Sequence, residues 1–341
     1  MNKPLNFTDS HIALAHGNGG RMMRELIEEL FAKHLKNELL DTQVDAALLP
    51  IKIGTGEIMV TTDGFTVDPL EFPGGNIGSL AIHGTVNDLA VSGAKPLYLT
   101  LNAFIEEGLE VALLDRVLQS MAQACRDSGV CVVAGDTKVL KRGQGGGVYF
   151  ATTGIGVRSP QLKLGINQIH KGDLIIVSGS LGDHGTAVLL AREQFGLSGE
   201  LKSDSASVLP ITQALIDQPG LRFMRDPTRG GVATVMHEIS QSANVTIRLK
   251  KTAIPVCDPV QSVCEILGYD PLYLASEGRV VAVLEPNSAE LAINQLHELG
   301  YTDAAIIGSV NEGRNQVILE TELGGERILE ELEDDPLPRI C

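Results

Sequence analysis

The chain has 341 residues, 43% of them hydrophobic and 21% charged, with 37 glycines, no tryptophan and a formal charge of −16. That length exceeds what one hydrophobic core usually organises and predicts two domains; the acidity, without any stripe of Lys and Arg, excludes a nucleic-acid partner, which needs clustered cations. No stretch approaches the roughly 20 apolar residues of a membrane span, and the first residues hold no apolar core of signal-peptide length, so the reading is a cytoplasmic protein.

In chain order, apolar residues at helical spacing predict a helix over 23–35, and a strand follows over 56–64, running into a polar turn. A helix over 76–93 ends at Gly93, and strand 96–104, helix 110–129 and strands 130–135 and 147–157 complete the first half. The segment 158–171 has no clear period and serves as the boundary. The second half opens with a strand, a Gly-rich turn and a helix over 172–193, then continues as helix 230–243, strand 245–250, helix 258–268, strand 279–286, helix 288–300 and strand 304–310. Two α/β halves with interleaved hairpins point to an α+β architecture.

From Glu330 onward nothing looks packed: acids and two prolines lead to Cys341, the last residue. These 12 residues, fully extended, reach ~40 Å, so the terminal thiol is expected on a mobile tail able to visit a distant site. Five cysteines without a CxxC pair argue against a disulfide framework and against tetrahedral zinc. The four internal ones, Cys125, Cys131, Cys257 and Cys264, read as small buried hydrophobes.

Acidic residues fall at element ends beside small residues: Asp63 in TTDG, Asp88 next to Asn87 in TVNDLAVSG, Asp136 in VVAGDTK and Asp226 in DPTRGG. Each alone is a common turn or cap residue, whereas four together suit a Mg–nucleotide site, because hard Mg²⁺ takes carboxylate oxygens and shares its shell with phosphates. HGNGG at 16–20 leads into the first helix, where unhindered N–H groups can cradle phosphate; GSLGDHG at 179–185 is a second such turn. There is no GxxxxGK[ST] of a Walker-type NTPase. Lys138 has the position to balance phosphate charge and Glu277 in ASEGR the chemistry of a general base.

The run from TTDG to SGAKP, then VVAGDTKV, DPTRGG and SEG, in this order, resembles the ATP-binding superfamily of aminoimidazole ribonucleotide synthetase, selenophosphate synthetase and thiamine monophosphate kinase. With the PRIC ending, the chain is similar over nearly its whole length to the hydrogenase-maturation carbamoyl dehydratases of that superfamily. The resemblance implies a two-domain α+β, PurM-like (AIR synthase-like) fold: an extension over 1–45, an ATP-binding and dimerising half over 46–158 whose sheet pairs into a barrel-like sheet in a homodimer, a second half over 168–329, and a mobile tail over 330–341. It implies ATP and Mg²⁺ as cofactors, with Gly17, Gly19, Gly20, Asp63, Asn87, Asp88 and Asp136 around the nucleotide and Asp63, Asp88, Asp136 and Asp226 on the metal. Lys138, Glu277 and Cys341 are implied as the catalytic residues. Partners implied are the carbamoyltransferase HypF, loading Cys341, and the iron scaffold HypC with HypD, accepting cyanide. Two other readings stay open: a relative acting on a free small molecule, as selenophosphate synthetase does, against which the absence of any Cys before Cys125 weighs, and a non-catalytic carrier that only presents a group on its thiol.

Overall fold

The computed structural model describes residues 20–26, 28, 43, 47–53, 56–192, 200–334, 337, 340 and 341. Most of the expected N-terminal extension, Gly17 and Gly19 included, lies outside the described residues. The first half comprises α1 (Gly20–Leu26), β1 (Ala47–Ile53), β2 (Gly56–Phe65), a two-strand ribbon β3 (Glu71–Phe72) and β4 (Gly75–Asn76), α2 (Ile77–Val91), β5 (Ala94–Glu106), α3 (Val111–Ser128), β6 (Cys131–Leu140) and β7 (Val148–Arg158). Among the described residues its main sheet runs β1-β2-β7-β5-β6, with β1 and β6 at the edges. Only β5 and β6 pair in parallel there, and α3 supplies the crossover that a parallel pair requires. α3 is amphipathic, burying Val117, Met121 and Ala124 at helical spacing and leaving its other face to solvent.

α2 is different, because it is apolar nearly all round and buried nearly all round. It begins at Asn76, whose Oδ1 accepts from the N–H groups of Gly78 at 2.9 Å and Ser79 at 3.2 Å, while the Ser79 hydroxyl accepts from the Asn76 N–H. Its N-terminal residues Ile77, Leu80 and Ile82 belong to the core of the first half, and Ala90 and Val91 at its other end pack in a core of the second. The helix therefore spans the seam between the halves and carries Asn87 and Asp88 there.

The second half comprises β8 (Leu174–Val177), α4 (Asp183–Arg192), α5 (Leu209–Ile216), β9 (Leu221–Arg225), α6 (Gly231–Ala243), β10 (Thr246–Lys250), α7 (Asp258–Leu267), β11 (Val281–Leu284), α8 (Pro286–Glu298), β12 (Ala305–Asn311), β13 (Gln316–Glu320) and β14 (Glu326–Ile328). Among the described residues its sheet runs β14-β13-β10-β12-β8-β11-β9. Val232, Met236 and Ile239 of α6 cover one face, and Ile211 and Leu215 of α5 with Ala289 and Leu296 of α8 cover the other. Cover on both faces explains why β11 reads as an unbroken apolar run rather than an alternating one.

Most predicted elements recur with trimmed ends, and the α+β architecture stands. β1, α5, β9, β13 and β14 were not anticipated: all are short, and α5 opens on a proline. β6 does not stop at Gly135 but runs on through Asp136 and Lys138, which lie opposite Asn102 and Phe104 of β5. The glycine and the polar run Asp136–Lys138 hide the continuation of the strand that pairing with β5 imposes. Of the internal cysteines only Cys264 is buried; Cys131 is exposed on β6, because an edge strand leaves that position uncovered.

The largest departure concerns the chain end. The expectation of an unpacked segment from Glu330 onward fails at Leu337 and Ile340, which are 5% and 3% exposed and join a core shared by the two halves. Their apolar side chains outweigh the turn-forming composition around them: burying each stabilises the docked state by roughly 1.5–3 kcal/mol.

Candidate active site

The seam between the halves opens into a cavity of about 360 Å³ lined by residues of β2, α2, the loop from β9 to α6, α6 itself and the SEG turn before β11. Asp63, Asp88, Asp226 and Glu277 all line it, and so does Cys341. Four of the acidic residues singled out by sequence thus converge, from positions as distant as 63 and 277, and Cys341 lines the same cavity.

Local structure explains each placement. Asp63 lies near the end of β2, where its Oδ1 accepts from the Gly64 N–H at 2.7 Å. Asp88 sits on the last turn of α2 and accepts from the Thr61 hydroxyl at 2.7 Å, a bond across the β2–α2 contact. Asp226 follows β9 directly and is buried. The two glycines after Arg229 adopt positive φ, 72° at Gly230 and 59° at Gly231, so that α6 can start within the cavity wall; a Cβ at Gly231 would stand 2.5 Å from the Leu272 carbonyl oxygen.

Glu277 is the least ordinary group. It is 2% exposed, and its Oε1 has no hydrogen-bond partner among the described residues. Burial, reinforced by Asp226, Asp204 and Asp63, pushes its pKa well above the usual carboxylate range against the opposing pull of Arg229. The turn that presents it is tightly held. The Asp204 carboxylate accepts from the N–H groups of Glu277 and Gly278, each at 3.2 Å, and lies 3.6 Å from the Arg279 guanidinium. The Ser276 N–H donates to the Pro227 carbonyl at 3.0 Å. Arg229 also lines the cavity; burial disfavours its charge, but Cys341, Asp63, Glu277 and Asp88 together raise its pKa above the ordinary value.

The remaining sequence-predicted residues are placed otherwise. Asn87 is 1% exposed, and its amide is committed to protein: it donates at 3.0 Å to the carbonyls of both Ala206 and Glu277 and accepts from the Val208 N–H at 2.8 Å. It ties α2 to the 204–208 loop and to the Glu277 turn rather than facing the cavity. Asp136 and Lys138 form an exposed ion pair at 2.8 Å on β6, outside the cavity wall of the single chain. Gly20 is packed against Leu332, and the next residue, Arg21, donates its N–H to the Leu332 carbonyl at 2.9 Å, so this glycine braces the start of the tail.

Sequence reading missed Arg229, although it stands inside the quoted DPTRGG, and missed the residues that seat the tail. The Cys341 carbonyl accepts from the Thr66 N–H at 3.2 Å and the Thr66 hydroxyl at 3.3 Å. The Ile340 carbonyl accepts from His184 Nε2 at 2.8 Å. His184 belongs to the GSLGDHG turn, where burial lowers its pKa to about 4 and keeps it neutral.

Chemically, the cavity joins Cys341, the buried Glu277 carboxyl, two guanidinium side chains (Arg225 and Arg229) and four further carboxylates (Asp63, Asp88, Asp226 and Glu238). A donor set of hard oxygens suits a magnesium ion, and the unpartnered Glu277 Oε1 marks unmet bonding capacity. Among the described residues no three such groups are already gathered at metal-binding distance.

Residues 43–158 match the AIR synthase related protein N-terminal domain and residues 170–320 the corresponding C-terminal domain. The chain is 43% identical over 341 residues to the carbamoyl dehydratase HypE of Azotobacter vinelandii, covering 99% of both chains. A crystal structure of a HypE–HypF complex matches with a TM-score of 0.85 at 43% identity, covering 90% of this chain and 99% of that one. A crystal structure of HypE in complex with ATP matches with a TM-score of 0.81 at 42% identity, covering 96% and 99%. Near-complete coverage in both directions, across both halves and the cavity between them, places the chain in the HypE family of AIR synthase related proteins.

Proposed function

We propose that the chain is an ATP-dependent carbamoyl dehydratase that converts an S-carbamoyl group on its own Cys341 into a thiocyanate, the source of the cyanide ligands on iron in [NiFe]-hydrogenase maturation. The observation that carries this reading is the position of Cys341 inside a carboxylate-lined cavity, beside a buried glutamate.

The chemistry balances as two steps. The carbonyl oxygen of S–C(=O)–NH₂ attacks the γ-phosphorus of ATP, releasing ADP and leaving a phosphorylated imidate after loss of one nitrogen proton. Loss of the second nitrogen proton then forms S–C≡N as the C–O bond breaks and phosphate departs. Oxide would be a poor leaving group, and phosphorylation corrects that. Glu277 is the candidate base: the burial that raises its pKa makes it a better proton acceptor than an exposed carboxylate. Arg229 lies where it would balance negative charge at the reacting group.

Asp63, Asp88 and Asp226 would hold Mg²⁺, which when bound offsets charge on the triphosphate. Asp136 and Lys138 join this reading through a second subunit. β6 is an exposed edge with Val133 and Val139 at 57% and 71% exposure, a surface suited to pairing in a homodimer, with residues 46–158 as the pairing and nucleotide-binding half and 168–329 as the second domain. The carbamoyl donor would be a HypF protein, consistent with the HypE–HypF relative, and the acceptor an iron scaffold of HypC with HypD. No described helix is long and apolar enough to cross a membrane, which accords with work in the cytoplasm. Cys341→Ala is expected to fold and bind ATP yet yield no cyanated scaffold; an undiminished yield would overturn the proposal.

A further inference from the structure

A docked chain end creates a problem for the reading above. Cys341 must be accessible to a carbamoyl donor yet enclosed for dehydration, so something must hold it inward with finite strength.

Among the described residues, His184, Thr66 and the Ile340 side chain make contacts that do so. His184 is fully buried, and its ring is set by two neighbours: the Phe72 ring meets it edge-on, with centroids 5.4 Å apart at 88°, and Ser203 Oγ lies 2.8 Å from Nδ1. A carbonyl oxygen can only accept, so the Nε2 facing Ile340 carries the proton, and Nδ1 accepts from the Ser203 hydroxyl. The same Ser203 oxygen accepts from the Ser205 N–H at 3.0 Å, anchoring the ring to the 203–208 loop. Thr66, directly after β2, supplies two donors to the Cys341 carbonyl. Between these polar clasps the Ile340 side chain is 3% exposed, in a core that also holds residues of α2, α4 and α7. The seat is thus built by both halves, and it reads the two final residues through their carbonyls and one apolar side chain.

We propose that His184 and Thr66 are positioning residues for the reacting thiol: they clasp the last two carbonyls while Ile340 fills the apolar seat, and together they set the balance between an enclosed and an accessible Cys341. In this role both act on main-chain oxygens rather than on the reacting sulfur. The proposal rests on the dehydratase reading for its purpose, not for its geometry.

The test measures alkylation of Cys341 by iodoacetamide in the folded, full-length protein, mapped on the C-terminal peptide and compared with the same rate in the urea-unfolded chain. The wild type is expected to protect Cys341. Ile340→Ala and His184→Leu each lose one element of the seat and are expected to reduce that protection about tenfold, whereas His184→Gln, which keeps an N–H donor, retains it. Should His184→Leu fail to fold, Ile340→Ala, next to the chain end, still decides. Unchanged protection in Ile340→Ala overturns the proposal, as does equal loss in the Leu and Gln variants of a folded His184. A second readout follows dehydration of pre-carbamoylated Cys341 with Mg-ATP, which is expected to slow in Ile340→Ala in step with the lost protection. Absence of dehydration in the wild type, with the protection pattern as expected, would remove the dehydratase reading and leave the seat standing.

Discussion

Asn87→Ala separates two accounts of one residue. Sequence motifs place Asn87 beside the nucleotide; the structure commits its amide to three buried bonds, at 3.0 Å to the Ala206 carbonyl, 3.0 Å to the Glu277 carbonyl and 2.8 Å from the Val208 N–H. Each such bond contributes about 1 kcal/mol net, and leaving the Val208 N–H buried without a partner costs about another 1–2 kcal/mol. The substitution is therefore expected to destabilise by about 4–5 kcal/mol, seen as a lower urea midpoint with unchanged m-value and a Tm lower by roughly 8–20 °C. ATP affinity, measured by calorimetry below the unfolding range, should stay within about threefold of wild type, while turnover falls because the Glu277 turn loses one of its ties. An ATP Kd weakened more than tenfold with an unshifted urea midpoint would refute this assignment and restore Asn87 to the nucleotide.

Glu277→Gln should abolish dehydration at Cys341, by at least about a hundredfold, without preventing carbamoyl loading. Because the folded pKa of Glu277 is raised, the unfolded chain releases this proton first as pH rises, so the wild type loses stability through that window; the Gln variant should lose less when urea midpoints are compared between pH of about 5 and about 9. The opposite sign holds for His83 and His184, both lowered to about 4 by burial: their stability contribution is complete above pH 6.5 and is lost as pH falls from there toward 4, a slope that His184→Gln should flatten. Gly278→Ala would set a Cβ 1.9 Å from the Asp204 carbonyl oxygen, and should destabilise by about 1–3 kcal/mol or more in denaturant titration and displace the Glu277 turn.

What the sequence made legible follows from where its signals lie. Asp63, Asp88, Asp226 and Glu277 each sit at or near an element end beside glycine or another small residue, and strong local punctuation of that type survives in one dimension. The partners of Asn87 are 119 to 190 residues away, so nothing near it in sequence reveals that its amide is already used. The tail was hard to read for a local reason. Acids and prolines dominate its composition, and its scattered apolar residues Leu332, Leu337 and Ile340 give no period that announces a docked end. Asp136 and Lys138 were expected at the end of a strand, but pairing with β5 extends β6 through both and leaves them on an exposed edge. The glycine and polar run in the middle of this edge strand break the apolar pattern that sequence could read.

The most direct test of the central claim is intact-protein and C-terminal-peptide mass spectrometry on Cys341-carbamoylated protein, before and after Mg-ATP. The account predicts loss of the mass of one water at Cys341, strictly dependent on ATP. A carbamoyl mass that persists while ATP is hydrolysed, or that persists with ATP untouched, would contradict it.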